Sequence, residues 1–196
     1  MRSNFIYFIL MLILTTLPSV LFAQAEKQLK DKYILVLDIQ EIGTKKTLDP
    51  DAAQQLINNV NQVISMADPE KVIYVEAIMA RLAISLTGLT VEVEDGMKLD
   101  DRLELVNDMR VVKTRASAFT AEQLQTFIDT HKADEFVIVG MMAEHCVRAT
   151  ALEGLETGYK MAVIPEAIAA ESDAGKAEVM NTLRKKGAEI IPLAEL

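Results

Sequence analysis

Cys146 is the only cysteine among the 196 residues, and its surroundings make it a candidate nucleophile. The stretch from Phe136 to Glu166, FVIVGMMAEHCVRATALEGLETGYKMAVIPE, reads as a buried strand, a tight turn at Gly140, a helix and a second buried strand. Cys146 falls where the turn becomes the helix. The first N–H groups of a helix lack partners within it and carry partial positive charge. A thiolate there is expected to be stabilised and its pKa lowered. The other reading of a lone cysteine is a small buried hydrophobe. Two residues elsewhere could serve the thiol. Asp38 follows the apolar run YILVL (33–37), and Lys113 ends the run MRVVK (109–113). Asp38 alone could be a turn or cap residue. A carboxylate, an ammonium and a thiol at the ends of three strands would supply a base, an electrostatic partner and a nucleophile.

The elements that must position these groups can be read from periodicity. Residues 33–37 and 72–75 are short continuous apolar runs, as expected of strands covered on both faces. Asp49-Pro50 is an N-cap followed by proline at the first helical position. From there Ala53, Leu56, Ile57, Val60, Val63 and Ile64 form a one-faced stripe, predicting a helix to about Ala67. Gln40 to Leu48 reads as a loop. The segment from Glu76 to Asp108 is the hardest to assign. Residues 78–86 are compatible with a helix, 90–94 with a strand turned by Glu94-Asp95-Gly96, and 100–106 with a short helix. A connection this long is often a lid or an oligomer contact. Residues 109–113 predict the third strand, and Thr120-Ala121-Glu122-Gln123 has the form of a capping box opening a helix. Strands follow at 136–139, 161–164 and 189–191, with Gly158 expected past one helix end and Ser172 capping the last helix. Strands and helices alternate, which predicts a three-layer α/β/α domain over residues 30–196 with a six-stranded, mainly parallel sheet and right-handed crossovers. Asp38, Lys113 and Cys146 then share the carboxyl edge of that sheet, where ligands of open α/β sheets bind.

Composition excludes some classes. A net charge of −9 with no basic run argues against nucleic acid as a partner. Residues 1–25 read as a cleaved signal peptide: Arg2, the apolar run Phe5 to Leu17, the break at Pro18-Ser19, and small residues at Ala23 and Ala25 for cleavage. Cleavage after Ala23 competes with cleavage after Ala25. The mature protein is then exported, periplasmic or secreted, without stable membrane insertion. The alternative is an uncleaved N-terminal membrane anchor, for which the apolar core is short against a span of about 20 residues.

Three motifs carry a resemblance. They are LVLDIQ (35–40), VVKTRASAF (111–119) and VGMMAEHCVRATALEGLETGY (139–159). In order and spacing the chain resembles the isochorismatase-like cysteine hydrolases, which include nicotinamidases and N-carbamoylsarcosine amidohydrolases. The resemblance covers residues 32–196 and implies a Rossmann-like fold with a catalytic triad of Asp38, Lys113 and Cys146. It further implies a cis peptide at Met141–Met142 and an oxyanion hole from the N–H groups of Met142 and Cys146. The implied reaction is hydrolysis of a small amide or ureide through a thioester, with no cofactor and with a small-molecule substrate. Isochorismatase itself acts on a vinyl ether, and the presence of Cys146 favours the amide reaction.

Departures from the family pattern bear on the substrate. Nicotinamidases carry an Asp and two His metal site after the second strand, but EAIMARLAISLTGL (76–89) has no histidine, so no metal is expected. The two histidines of the chain are His131, at a helix end, and His145, which is either a substrate contact or a turn residue pointing elsewhere. An aromatic common five residues after the aspartate is replaced by Gly43, leaving Ile42 or Met141 to fill the space. Gln40, Ile42, Met141 and His145 are the candidate pocket residues. A homo-oligomer is expected, with 76–108 the candidate contact. A catalytically idle ligand-binding member is the reading from a different class. A flavodoxin-like nucleotide binder is disfavoured, because DIQEIGTKK holds one glycine and no phosphate loop.

Overall fold

The structure is a computed structural model that describes residues 29–78, 80–85, 88–93 and 97–196. The expected leader and the expected turn at 94–96 lie outside the described residues. The chain begins with β1 (Tyr33–Leu37), then a short helix α1 (Glu41–Lys46) and the long α2 (Pro50–Met66). Next come β2 (Val72–Ala77), the hairpin β3 (Ala80–Ser85) and β4 (Gly88–Val93), then β5 (Arg110–Lys113). The second half runs α3 (Glu122–His131), β6 (Glu135–Gly140), α4 (Arg148–Thr157), β7 (Lys160–Ile168), α5 (Asp173–Lys186) and β8 (Glu189–Ile190).

Six strands form one sheet in the order β5-β2-β1-β6-β7-β8, and every pairing is parallel. Alternation along β1 divides the core. Leu35 and Leu37 face the layer of α3, α4 and α5, where Leu124, Ala151, Val179 and Leu183 are buried. Ile34 and Val36 face α2, whose Leu56, Ile57, Val60, Val63 and Ile64 are the stripe expected from the sequence. This is the expected three-layer α/β/α arrangement. Asp49 caps α2 as expected, its side chain accepting from the N–H groups of Asp51 and Ala52.

Several local expectations are corrected. Glu41–Lys46 is helical rather than loop, and residues 80–85 are a strand rather than a helix. Asp100 to Val106 forms turns in place of a helix. The capping box at 120–123 does not form. Thr120 donates to the Ser117 carbonyl, and Gln123 turns its amide oxygen to the N–H of Val112. The open edge of β5 competes for that side chain and wins, because an unpaired strand N–H is a ready donor. Ser117 instead caps the short turn ahead of α3. Gly158 and Ser172 cap α4 and α5 as expected.

The strand order reverses between β1 and β6. From β1 the chain moves outward through β2 to β5; from β6 it moves the opposite way through β7 to β8. A crevice opens at such a switch point, at the carboxyl ends of the two strands. Gly140 makes that closeness possible: its φ is +119°, and an added Cβ would collide with the Leu37 carbonyl. Among the described residues no helix is long and apolar enough to cross a membrane. Gly140→Ala should therefore cost about 3 kcal/mol or more, measured as a lowered urea midpoint. An unchanged midpoint would show that β1 and β6 do not need this approach.

Candidate active site

Each of the three polar residues reaches the crevice from its own strand. Asp38 follows β1 in the left-handed region, with φ 54°, a conformation that Asp tolerates better than most residues. Its N–H continues the ladder to the Val75 carbonyl at 2.9 Å, and its carbonyl accepts from Gln40 N–H at 2.8 Å. Lys113 ends β5, two strands away from β1 and so about 10 Å across the sheet. Its side chain crosses the end of β2, where the last residue is the small Ala77.

The Lys113 ammonium is 1% exposed and stands 3.0 Å from Asp38 Oδ2. It donates to Cys146 Sγ at 3.2 Å and to the Arg115 carbonyl at 3.3 Å. An ammonium has three protons, and here it finds three acceptors. The structure thus brings together the three residues that the sequence placed at three strand ends. Asp38 Oδ1 is buried and has no hydrogen-bond partner among the described residues.

The electrostatics correct one expectation. The Cys146 thiol was expected below its ordinary pKa, from its place at a helix start. It is instead pushed up to about 11, first by burial and then by the neighbouring Asp38 carboxylate, with Lys113 pulling the other way. Burial also raises the pKa of Asp38, against the pull of Lys113. The thiol is therefore protonated at neutral pH. Loss of water around the sulfur outweighs the favourable ends of the peptide dipoles.

The turn carrying Cys146 has its own scaffold. The Met141–Met142 peptide is cis, at the position expected. Met141 N–H donates to Leu37 O at 3.0 Å, and Ala143 N–H to Ala169 O at 2.8 Å. The N–H groups of His145 and Val147 both close on the Met142 carbonyl, so Ala143–Val147 is a π turn that feeds α4 in place of a simple helix start. Among the described residues the Met142 N–H, one of the two expected oxyanion donors, has no acceptor. The Cys146 N–H belongs to the same turn.

The candidate pocket residues divide. Met141 is 4% exposed, and a Cβ on Gly43 would stand 2.6 Å from its Cε, so the Met141 thioether fills the space over Gly43. Ile42 is half-buried on α1. Gln40 is not free for a substrate. Its amide nitrogen donates to Ala77 O at 3.0 Å and to Met97 O, and its amide oxygen accepts from Ala77 N at 3.0 Å. Where β1 has ended, this amide pairs with β2 as a further strand residue would. His145 is turned to Glu171, with Nε2 2.7 Å from Oε1. This exposed ionic partner draws the ring toward solvent.

Sequence reasoning missed the residues that brace the site. Thr150 is fully buried and accepts Ala118 N–H at 3.0 Å, joining α4 to the segment after Lys113. A Thr four residues after the cysteine, on the inner helix face, was the available signal. Glu144 accepts from the N–H groups of Glu171 and Ser172 and ties the π turn to the start of α5. Asp100 is buried beside Arg102 and Thr44, and Arg102 holds its carboxyl well below the usual range. Nothing in the local pattern marked the Glu144 and Thr44–Asp100 contacts, because they join distant segments.

A metal of the nicotinamidase type does not fit these residues. His131 bonds to the Phe127 carbonyl at 2.9 Å, His145 to Glu171, and the sequence 76–89 that follows β2 holds no histidine. Among the described residues no three His, Cys, Asp or Glu side chains gather as metal ligands. A cleft of about 860 Å³ lies between α2 and the start of α5, lined by Asn59, Glu166 and Lys176 among others, and no triad residue reaches it.

Comparison with known proteins bears on the fold and the family. The isochorismatase domain family model matches residues 32–195. An Arabidopsis thaliana protein described as a probable inactive nicotinamidase is 32% identical over 80 residues, 40% of this chain and 39% of its own length. The nicotinamidase of Saccharomyces cerevisiae is 34% identical over 68 residues, 35% of this chain and 31% of its own. The matches thus span 39% and 31% of these relatives' lengths. The crystal structure of N-carbamoylsarcosine amidase from Thermoplasma acidophilum superposes with a TM-score of 0.67 at 21% identity, covering 84% of this chain and 98% of that one.

Alkylation of Cys146 by iodoacetamide, followed against pH, should rise with a midpoint near 11. Asp38→Asn removes a negative neighbour and should move the midpoint down, while Lys113→Ala removes a positive one and should move it up. A wild-type midpoint below about 8.5 would contradict this electrostatic account.

Proposed function

The chain belongs to the isochorismatase family, and on that premise we propose that it is an exported cysteine-dependent hydrolase that cleaves a small amide or ureide C–N bond through a thioester. The observation that carries this reading is the Lys113 ammonium, 3.0 Å from the Asp38 carboxylate and 3.2 Å from the Cys146 sulfur. Base, cation and nucleophile are in mutual reach at the carboxyl edge of the sheet.

The steps follow from proton positions. Asp38 removes the thiol proton as Sγ attacks the carbonyl carbon. A protonated resting thiol makes this base necessary, since little thiolate exists beforehand. Lys113 offsets the negative charge as it moves from carboxylate to sulfur. The carbonyl oxygen becomes an oxyanion held by the N–H groups of Met142 and Cys146, each donor contributing roughly 3 kcal/mol to the transition state. Asp38 passes its proton to the leaving nitrogen, the C–N bond breaks, and the amine or ammonia departs. Water then gives a proton to Asp38 and attacks the thioester carbon. The C–S bond breaks, and the sulfur recovers the proton from Asp38 as the acid leaves. Every proton is returned, and no metal is used.

The relation to a plant protein described as a probable inactive nicotinamidase keeps a second reading in view, a ligand-binding member without turnover. Ammonia release from a panel of small amides and ureides separates the two. At least one substrate should turn over, with Cys146→Ala reducing the rate by about 10³-fold or more and Asp38→Asn by about 10²–10⁴-fold. Absence of turnover across the panel, or turnover that survives Cys146→Ala, would sink the hydrolase reading.

Export rests on the leader pattern at residues 2–25. Expressed with its own N-terminus in a bacterial host, the exported protein should begin at Glu26, or at Gln24 if cleavage follows Ala23. Retention of Met1 in a membrane fraction would favour the anchor instead.

A further inference from the structure

The turn that carries Cys146 has two arms, and they are held by different means. The inner arm is fixed to the sheet and its extension, by Met141 N–H on the Leu37 carbonyl and Ala143 N–H on the Ala169 carbonyl. The outer arm, Glu144 and His145, leads directly to the sulfur and reaches across to the segment before α5 with its side chains. His145 meets Glu171 there, but the two side chains are 60% and 61% exposed. An exposed pair of this kind holds little.

Glu144 is held differently. Its side chain is half-buried. Its carboxylate accepts the Glu171 N–H on both oxygens, at 3.2 and 3.1 Å, and the Ser172 N–H at 3.4 Å. Bonds from backbone N–H groups to a carboxylate are charge-assisted, and only one side chain has to be ordered to make them. They lie at the start of α5, where the peptide dipoles favour a negative charge.

A second observation points to the same contact. Gly175 lies in the first turn of α5, and a Cβ added there would collide with Glu144 Oε1 and stand 3.2 Å from its Cδ. The Gly175 backbone is helical, so the conformation does not call for glycine. Glycine in a helix is less favourable than alanine. What its missing Cβ provides here is a notch, and the Glu144 carboxylate occupies it.

We infer that Glu144 is a positioning residue for the nucleophile: seated in the notch at Gly175, it anchors the outer arm of the π turn to the start of α5 and so fixes the Cys146 sulfur against Lys113 and Asp38. Glu144 acts through the turn and takes no part in the proton transfers. Its effect on turnover rests on the hydrolase reading; its effect on the place of the sulfur does not.

Alkylation of Cys146 by iodoacetamide against pH, on the purified protein, therefore tests the placement without any substrate. Burial and the Asp38 carboxylate hold the wild-type midpoint near 11. In Glu144→Ala the sulfur is freed from both, and the midpoint should fall below about 10, toward the ordinary thiol value of about 8.5. Glu144→Gln keeps an acceptor oxygen of the same reach and should hold the midpoint near that of the wild type, which separates position from charge. Gly175→Ala raises helix propensity yet evicts the carboxylate. It should lower the midpoint as Glu144→Ala does, and add nothing when the two are combined. Glu171→Ala removes the partner of His145 but leaves the backbone N–H in place, and should leave the midpoint unmoved. With a substrate in hand, kcat of Glu144→Ala and Gly175→Ala should fall about 10-fold or more while KM stays within about twofold. A wild-type midpoint in folded Glu144→Ala, a Glu144→Gln midpoint as low as that of Glu144→Ala, or a Gly175→Ala effect that persists without Glu144 would each overturn the inference.

Discussion

A buried ammonium is the constraint on which the rest of this structure depends. Removing the Lys113 charge from water costs several kcal/mol unless its protons are matched. Asp38, Cys146 and the Arg115 carbonyl match them, and each of the three is delivered by a different piece of backbone. The carboxylate requires β1 to end in a left-handed residue. The thiol requires Gly140 to let β6 run against Leu37 and the π turn to fold back on Met142. The strand order places Lys113 far enough away that only an extended lysine, passing over Ala77, reaches the centre. A shorter cation at that position would stop short of both partners.

The same dryness that makes the ammonium demanding sets the protonation of its neighbours. Burial raises both Asp38 and Cys146, and each anion would raise the other further. One positive charge is present to balance one negative charge. The triad is thus a neutral unit holding one mobile proton, which can sit on sulfur or on carboxylate without changing the net charge of the crevice. Proton movement within such a unit needs little reorganisation of the surroundings, which is the condition under which preorganised groups act most strongly.

What could be read from the sequence followed from which forces are local. Continuous apolar runs gave the six strands, the stripe from Ala53 to Ile64 gave α2, and the ends of three runs gave Asp38, Lys113 and Cys146. Chemistry set by neighbours distant in the chain was not legible. The Cys146 pKa depends on burial that periodicity cannot measure, so the helix-start argument had the sign wrong. Gln40 looked like a pocket residue because it lies two positions from Asp38, yet its amide is bound to Ala77 and Met97. Thr120 and Gln123 matched a capping pattern whose partner groups went to Ser117 and Val112. For Gln40 and Gln123 the partner on another segment prevailed over the one nearby, and Thr120 turned back to Ser117.

The Gln40 clasp has a consequence for how such a protein can change over time. Because one side chain closes the ladder between Ala77 and Met97, the sheet does not rely on what the chain does in between. The roughly twenty residues there can be lengthened, shortened or replaced at small entropic cost, since loop closure depends only weakly on length. The surface beside the crevice is thus modular: new walls can be fitted to it while the reacting groups keep their places.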